Sequence, residues 1–181
     1  GDVDGIDIQS SANSTLTCMG MDGITTYQPN YNINFWAGFN YNDEALAKLE
    51  VRQAISYAID RQEIVDVVFE GLATTIPFFA REDQGWYDSY AGINEYNPEK
   101  AKELLAAAGY PDGISITVSC ISREPDNTVL QLMQSQMAKA GIALNLEPME
   151  RTAWVAKAKT ELDYQMIVGQ NGNSGVDLSR Q

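Results

Sequence analysis

Pro111-Asp112-Gly113-Ile114-Ser115-Ile116-Thr117-Val118 is a tight turn feeding a strand, and the pattern that follows it decides the fold. Pro-Asp-Gly supplies the turn chemistry, and Ile114, Ile116 and Val118 alternate with Ser115 and Thr117 at the period of two that one buried face requires. Asp126 then offers an N-cap to a helix that carries Leu130, Met133 and Met137 and stops at Gly141. Ile142 to Leu146 reads as a second strand, Arg151 to Thr160 as a short helix, and Tyr164 to Val168 as a buried third strand. Strand, helix, strand, helix, strand predicts parallel pairing through right-handed crossovers. The carboxyl ends of such strands form a natural rim for a ligand.

Upstream, Asn97-Pro98-Glu99 starts a helix, with Asn at the cap and Pro at the first helical position, and Ala108-Gly109 stops it. Residues 72–96 form a long connection without a clear period, a kind of segment that is often functional. Phe78, Phe79, Trp86 and Tyr87 lie in it, and either line a cleft or pack beneath the loop itself. From Asp43 the apolar spacing is helical, with Leu46, Leu49, Ala54, Ile55, Ala58 and Ile59 on one stripe. Asp60 and Glu63 make a capping-box pattern for a second helix that Gly71 ends. Residues 1–42 read as short strands and turns, the clearest strand running from Asn32 to Tyr41. Trp36 falls on the polar face of that strand beside Asn34 and Gly38; it is a candidate aromatic wall for a ligand, though a helix lying over it explains it better. Met133 and Met137 at helical spacing are core residues, and Asp126, Asp60 and Asn97 are caps.

A chain of 181 residues with 44% hydrophobic and 20% charged residues has the composition of one globular domain. Its net charge of −13, with no Lys or Arg before Lys48, repels polyanions and argues against nucleic acid and anionic lipid as partners. With no histidine, imidazole nucleophile activation, His-ligated zinc and imidazole acid–base chemistry are all excluded. The Asp-rich start at Asp2, Asp4 and Asp7 lacks the glycine position and closing Glu of a calcium loop, so no metal or cofactor is expected. Cys18 and Cys120 form no metal or redox motif; two buried thiols are the better reading, with a single disulfide as the alternative. No apolar run is long enough to span a membrane.

Val51-Arg52-Gln53-Ala54-Ile55-Ser56-Tyr57-Ala58-Ile59-Asp60-Arg61, preceded by Phe39-Asn40, resembles the signature of the family 5 extracellular solute-binding proteins, the peptide-binding receptors of bacterial ABC importers. Asn97-Pro98-Glu99-Lys100-Ala101-Lys102-Glu103-Leu104-Leu105, running on to Gly109-Tyr110-Pro111-Asp112-Gly113, is similar to the family's helix before its parallel strands. Ala140-Gly141-Ile142 and Asp163-Tyr164-Gln165-Met166 match its next two landmarks in order. The resemblance implies a mixed sheet with a parallel βαβαβ portion flanked by helices, one lobe of a bilobed periplasmic-binding-protein-like fold. Residues 1–181 would be a single domain, the second lobe excised from a longer protein.

The same resemblance implies capture of peptides or a related small solute between two lobes, delivery to an ABC permease, and no catalysis. It implies an extracytoplasmic location, in the periplasm or lipid-anchored at the cell surface, and a monomeric fragment. In peptide-binding members the loop after the last strand carries a Trp and, three residues later, an Asp that pairs with the ligand's amino group. By register those positions here are Gln170 and Asn173. Asn is neutral and cannot supply that charge-assisted contact, and Asp177 is the nearest carboxylate. Ligand contacts are therefore expected on Gln170, Asn171 and Asn173, against the alternative of a plain surface turn. Arg52 is expected to make a structural ion pair. Two other functions compete: a sensor that reports ligand occupancy to a signalling partner, and a carboxylate-dependent glycosidase, which would need two facing acids with one pKa raised.

Overall fold

The computed structural model describes residues 12–25, 33–75 and 95–172. In chain order the elements are α1 (Ala12–Met19), β1 (Ile33–Phe39), α2 (Leu49–Tyr57), α3 (Arg61–Val68), α4 (Pro98–Ala107), β2 (Ile114–Ile121), α5 (Asp126–Lys139), β3 (Ile142–Met149), α6 (Arg151–Ala156) and β4 (Met166–Gly172). A π-helical turn, Lys157–Glu161, extends α6. The strands form one mixed sheet in the order β1-β4-β2-β3. β2 pairs in parallel with β3 and with β4, while β1 runs antiparallel to β4. The βαβαβ reading of residues 114–168 is thus borne out, with β2 and β3 each three residues longer than expected. Pro148 sits inside β3 because that strand is at the sheet edge, where a missing N–H costs no ladder bond.

Side-chain alternation divides the two faces. Ile116, Val118 and Cys120 of β2, Ile142 and Leu144 of β3, and Met166 and Val168 of β4 point into one core. The stripe Val51, Ala54, Ile55 and Ala58 of α2 joins it with Ala101 and Leu105 of α4 and Leu130, Met133 and Met137 of α5. Burying a side chain such as Leu130 or Met137 contributes about 1.5–3 kcal/mol, so this layer carries most of the stability. The opposite face is covered by α6 through Trp154. At the α5–β3 corner, a Cβ on Gly113 would lie 2.2 Å from the Gly141 carbonyl oxygen, at a φ of +91°. Only glycine lets the two backbones meet there.

Several local expectations are corrected. Ala12–Met19 is a helix, since eight residues without Gly or Pro include the helix formers Ala12, Leu16 and Met19. The helix expected from Asp43 begins only at Leu49, because the Asp43 carboxylate accepts from the Ala45 and Leu46 N–H groups and holds a turn instead. Asp60 and Asn97 cap as expected, accepting from the Glu63 and Lys100 N–H groups. Asp126 does not cap. It is the first residue of α5, after Pro125. Arg52 makes no ion pair with the described residues; its Nη1 donates to the Leu46 and Ala47 carbonyls at 2.8 Å and its guanidinium lies over the Tyr41 ring. It satisfies the carbonyls of the turn before α2, which helix bonds do not reach. Both cysteines are free thiols, Cys120 buried and Cys18 half-buried.

Candidate functional site

The carboxyl ends of the parallel strands carry a three-residue polar cluster. Gln170 shares its face of β4 with Met166 and Val168, and so points toward α5. There its Nε2 donates to Asp126 Oδ1 at 2.7 Å. Arg123, in the loop between β2 and α5, donates from Nε to Asp126 Oδ2 at 3.2 Å. The carboxylate of Asp126 is sealed from solvent, whereas the Arg123 side chain is 38% exposed. Burial pushes Asp126 up, and the charge and hydrogen bond of Arg123 with the amide of Gln170 offset only part of that. The Nη groups of Arg123 make no hydrogen bond with the described residues, and its side chain is partly open to solvent. The arrangement presents a cation to solvent from a rigid, buried anionic anchor, which suits a planar carboxylate on a ligand.

Trp36 is not part of this cluster. It faces the other side of the sheet, opposite Gly169 in the β1–β4 register, and packs edge-to-face on Trp154 of α6 at 6.4 Å. A Cβ on Gly169 would lie 2.7 Å from Trp36 and 3.2 Å from Trp154, so the glycine is what admits the ring. The helix-covered reading of Trp36 holds, with Trp154 as the covering residue. Asn171 follows in β4, paired with Asn34. Asn173, Asp177, Phe78, Phe79, Trp86 and Tyr87 lie outside the described residues.

A second polar constellation occupies the amino end of β4 on the α6 side, an open groove of about 350 Å³ lined by Asn40, Asp43, Thr117, Ser119, Glu147, Lys157 and Gln165 among others. Lys157 Nζ and Ser119 Oγ both donate to Glu147 Oε2 at 2.6 Å. Gln165 receives the Thr117 N–H and donates to Asp43. The hydrogen bonds from Lys157, then Ser119, hold Glu147 below its ordinary range. Burial pushes Asp43 up, but the bonds from Gln165, Leu46 and Ala45 outweigh it and leave it lowered. A glycosidase acid needs the reverse shift. These groups bind one another and tie α6 to the sheet.

Sequence reading named Gln170 as a candidate but not its partners Arg123 and Asp126. Asp126 looked like a helix cap, and that local reading hid its link to a strand 44 positions away. The available signal was topological: Arg123 lies in the loop leaving the carboxyl end of a parallel strand and Asp126 opens the helix that follows, where ligand groups concentrate.

A family model described as bacterial extracellular solute-binding proteins, family 5 Middle, matches residues 1–180. The chain is similar to di/tripeptide-binding protein 1 of Pseudomonas aeruginosa (strain UCBPP-PA14), 33% identical over 159 residues that cover 81% of the chain and 30% of that protein. It is also similar to the solved structure of AgaA from A. tumefaciens R10 in complex with agropinic acid, with a TM-score of 0.76 and 30% identity over 92% of this chain and 34% of that one. The periplasmic binding protein DppA from Helicobacter pylori, solved with the peptide STSA, has a TM-score of 0.72 and 26% identity over 92% of this chain and 32% of that one. The chain therefore spans about a third of the length of the proteins it matches.

Proposed function

Because the chain belongs to the bacterial extracellular solute-binding proteins of family 5, we propose that it forms one lobe of a receptor that captures a small solute without chemical change. The solute lies between this lobe and a second one and is handed to an ABC importer in the membrane. Capture of this kind needs a few fixed polar groups on a rigid rim and closure that excludes water. The observation that carries the reading is the Arg123, Asp126 and Gln170 cluster at the carboxyl ends of the parallel strands. Its exposed guanidinium favours a ligand with a carboxylate, such as a short peptide or agropinic acid, the kinds of ligand that the similar proteins are named for. Asn173, at the position where peptide receptors of the family carry an Asp, favours ligands whose amino group is not gripped by charge.

The test is a thermal-shift screen of the full-length protein that carries this chain against dialanine, trialanine, agropinic acid and nickel chelates. A ligand at a hundred times its dissociation constant stabilises by about 2.7 kcal/mol, a clear upward shift in Tm. Trialanine or agropinic acid is expected to give it. No shift with any carboxylate-bearing probe at millimolar concentration would sink the reading.

A further inference from the structure

We infer that Asp126 is a positioning residue of the capture site, a buried carboxylate that locks the Arg123 guanidinium and the Gln170 amide into fixed orientations at the rim. The inference rests on the capture reading above and adds to it a residue that touches no ligand. Asp126 is fully enclosed, yet each of its oxygens receives a side chain from a different segment: Oδ2 the β2–α5 loop through Arg123, Oδ1 the end of β4 through Gln170. A buried carboxylate carries a large desolvation cost unless it is paired and hydrogen-bonded. At the first turn of α5 it also meets the favourable end of the helix dipole. The placement is therefore sustained by specific partners on the ligand side of the sheet end. Arg123 gives its Nε to the anchor while its Nη groups have no partner among the described residues, so the anchor fixes which donors are left for a ligand. The Gln170 amide is oriented in the same way, with its N–H inward.

Asp126→Asn separates positioning from simple charge. Removing a negative charge near Arg123 makes the rim more positive, so charge alone predicts tighter binding of an anionic ligand. Positioning predicts weaker binding, because Asn accepts with one oxygen only, so Gln170 must either lose its bond or turn its amide over and present the opposite group to the rim.

The experiment measures the dissociation constant of the full-length protein for trialanine or agropinic acid, whichever the wild type binds, in wild type, Asp126→Asn, Arg123→Gln and the double variant. Asp126→Asn is expected to weaken binding about tenfold, within the range seen for coupled neighbours, and to cost clearly less in the Arg123→Gln background, where only the Gln170 amide is left to hold. Equal or tighter binding by Asp126→Asn, or losses that add in the double variant, would overturn the inference while leaving the capture reading intact. If the wild type binds neither probe, the capture reading fails and takes the inference with it. A measurement on the wild type alone guards against a variant that does not fold. With arginine and glutamine labelled with ¹⁵N, the Arg123 Nε–H and Gln170 side-chain amide are expected to exchange with water at least about tenfold more slowly than those of the exposed Arg151 and Gln131. Equal exchange rates overturn the inference.

Discussion

Glu147 and Asp126 are two acids on opposite faces of the sheet whose environments push them in opposite directions, and the signs can be followed separately. Glu147 is held below its ordinary value of 4.5 by the hydrogen bonds from Lys157 and Ser119. A depressed carboxylate contributes stability that is present above its unfolded pKa and is lost as pH falls through the folded one. Glu147→Gln should therefore destabilise the protein at pH 7, by no more than about 1 kcal/mol because the side chain is 41% exposed. The gap should narrow below pH 4.5, and urea denaturation at pH 7 and at roughly pH 3 measures it. A gap that stays constant between the two would mean that the Lys157 contact does not perturb this carboxylate. Asp126 runs the other way: raised by burial, its folded form holds a proton longer than its unfolded form, so its own contribution to stability falls as pH rises above 3.8. Neither sign was legible in the sequence, since that of Glu147 depends on partners 10 and 28 positions away and that of Asp126 on burial in the folded core.

Among the elements, the joint between α3 and α5 shows how a pattern can be right and its chemistry different. Asp60 and Glu63 announced the start of α3, and Asp60 does accept from the Glu63 N–H. In a complete capping box the Glu63 carboxylate would return to the Asp60 N–H. Instead Gln136 of α5, fully buried, takes that place from across the core: its Oε1 accepts the Asp60 N–H, and its Nε2 donates to the Asp60 carbonyl and to Glu63. Most helices and strands were readable because they follow local periodicity, and the parallel pairing because strands alternate with helices, whereas the order that sets β2 between β3 and β4 was not. A glutamine on an otherwise apolar helix face carried no such signal, and nor did Gly169, whose role depends on where two tryptophans land. Gln136→Leu keeps the volume but removes the partner of the Asp60 N–H and of Glu63, while the Asp60 carbonyl keeps its bond from the Ile64 N–H. It should cost about 2–4 kcal/mol, since several bonds are lost at once in a buried network. Hydrogen exchange should show α3 losing protection before α5 does. A loss below about 0.5 kcal/mol would mean that water replaces the glutamine without penalty.

For the whole molecule, the charge of −13 argues against polyanionic partners, and the lack of histidine removes imidazole chemistry. The consequence of spanning about a third of its relatives is energetic. A ligand captured between two lobes draws its contacts from both. If a full receptor binds at about 1 µM, its free energy of binding is about −8.2 kcal/mol, and half of that is about −4.1 kcal/mol, a dissociation constant near 1 mM. Closure, which removes water from the site and strengthens every polar contact in it, is also lost. The 181-residue chain alone should therefore fold, because its core is shared among α2, α4, α5 and the sheet, yet bind trialanine and agropinic acid only weakly. Circular dichroism with a cooperative thermal transition checks the first half, and calorimetry checks the second. A folded chain that binds either probe at micromolar or tighter affinity would place the whole site on these 181 residues, with Arg123 and its buried anchor supplying most of the grip.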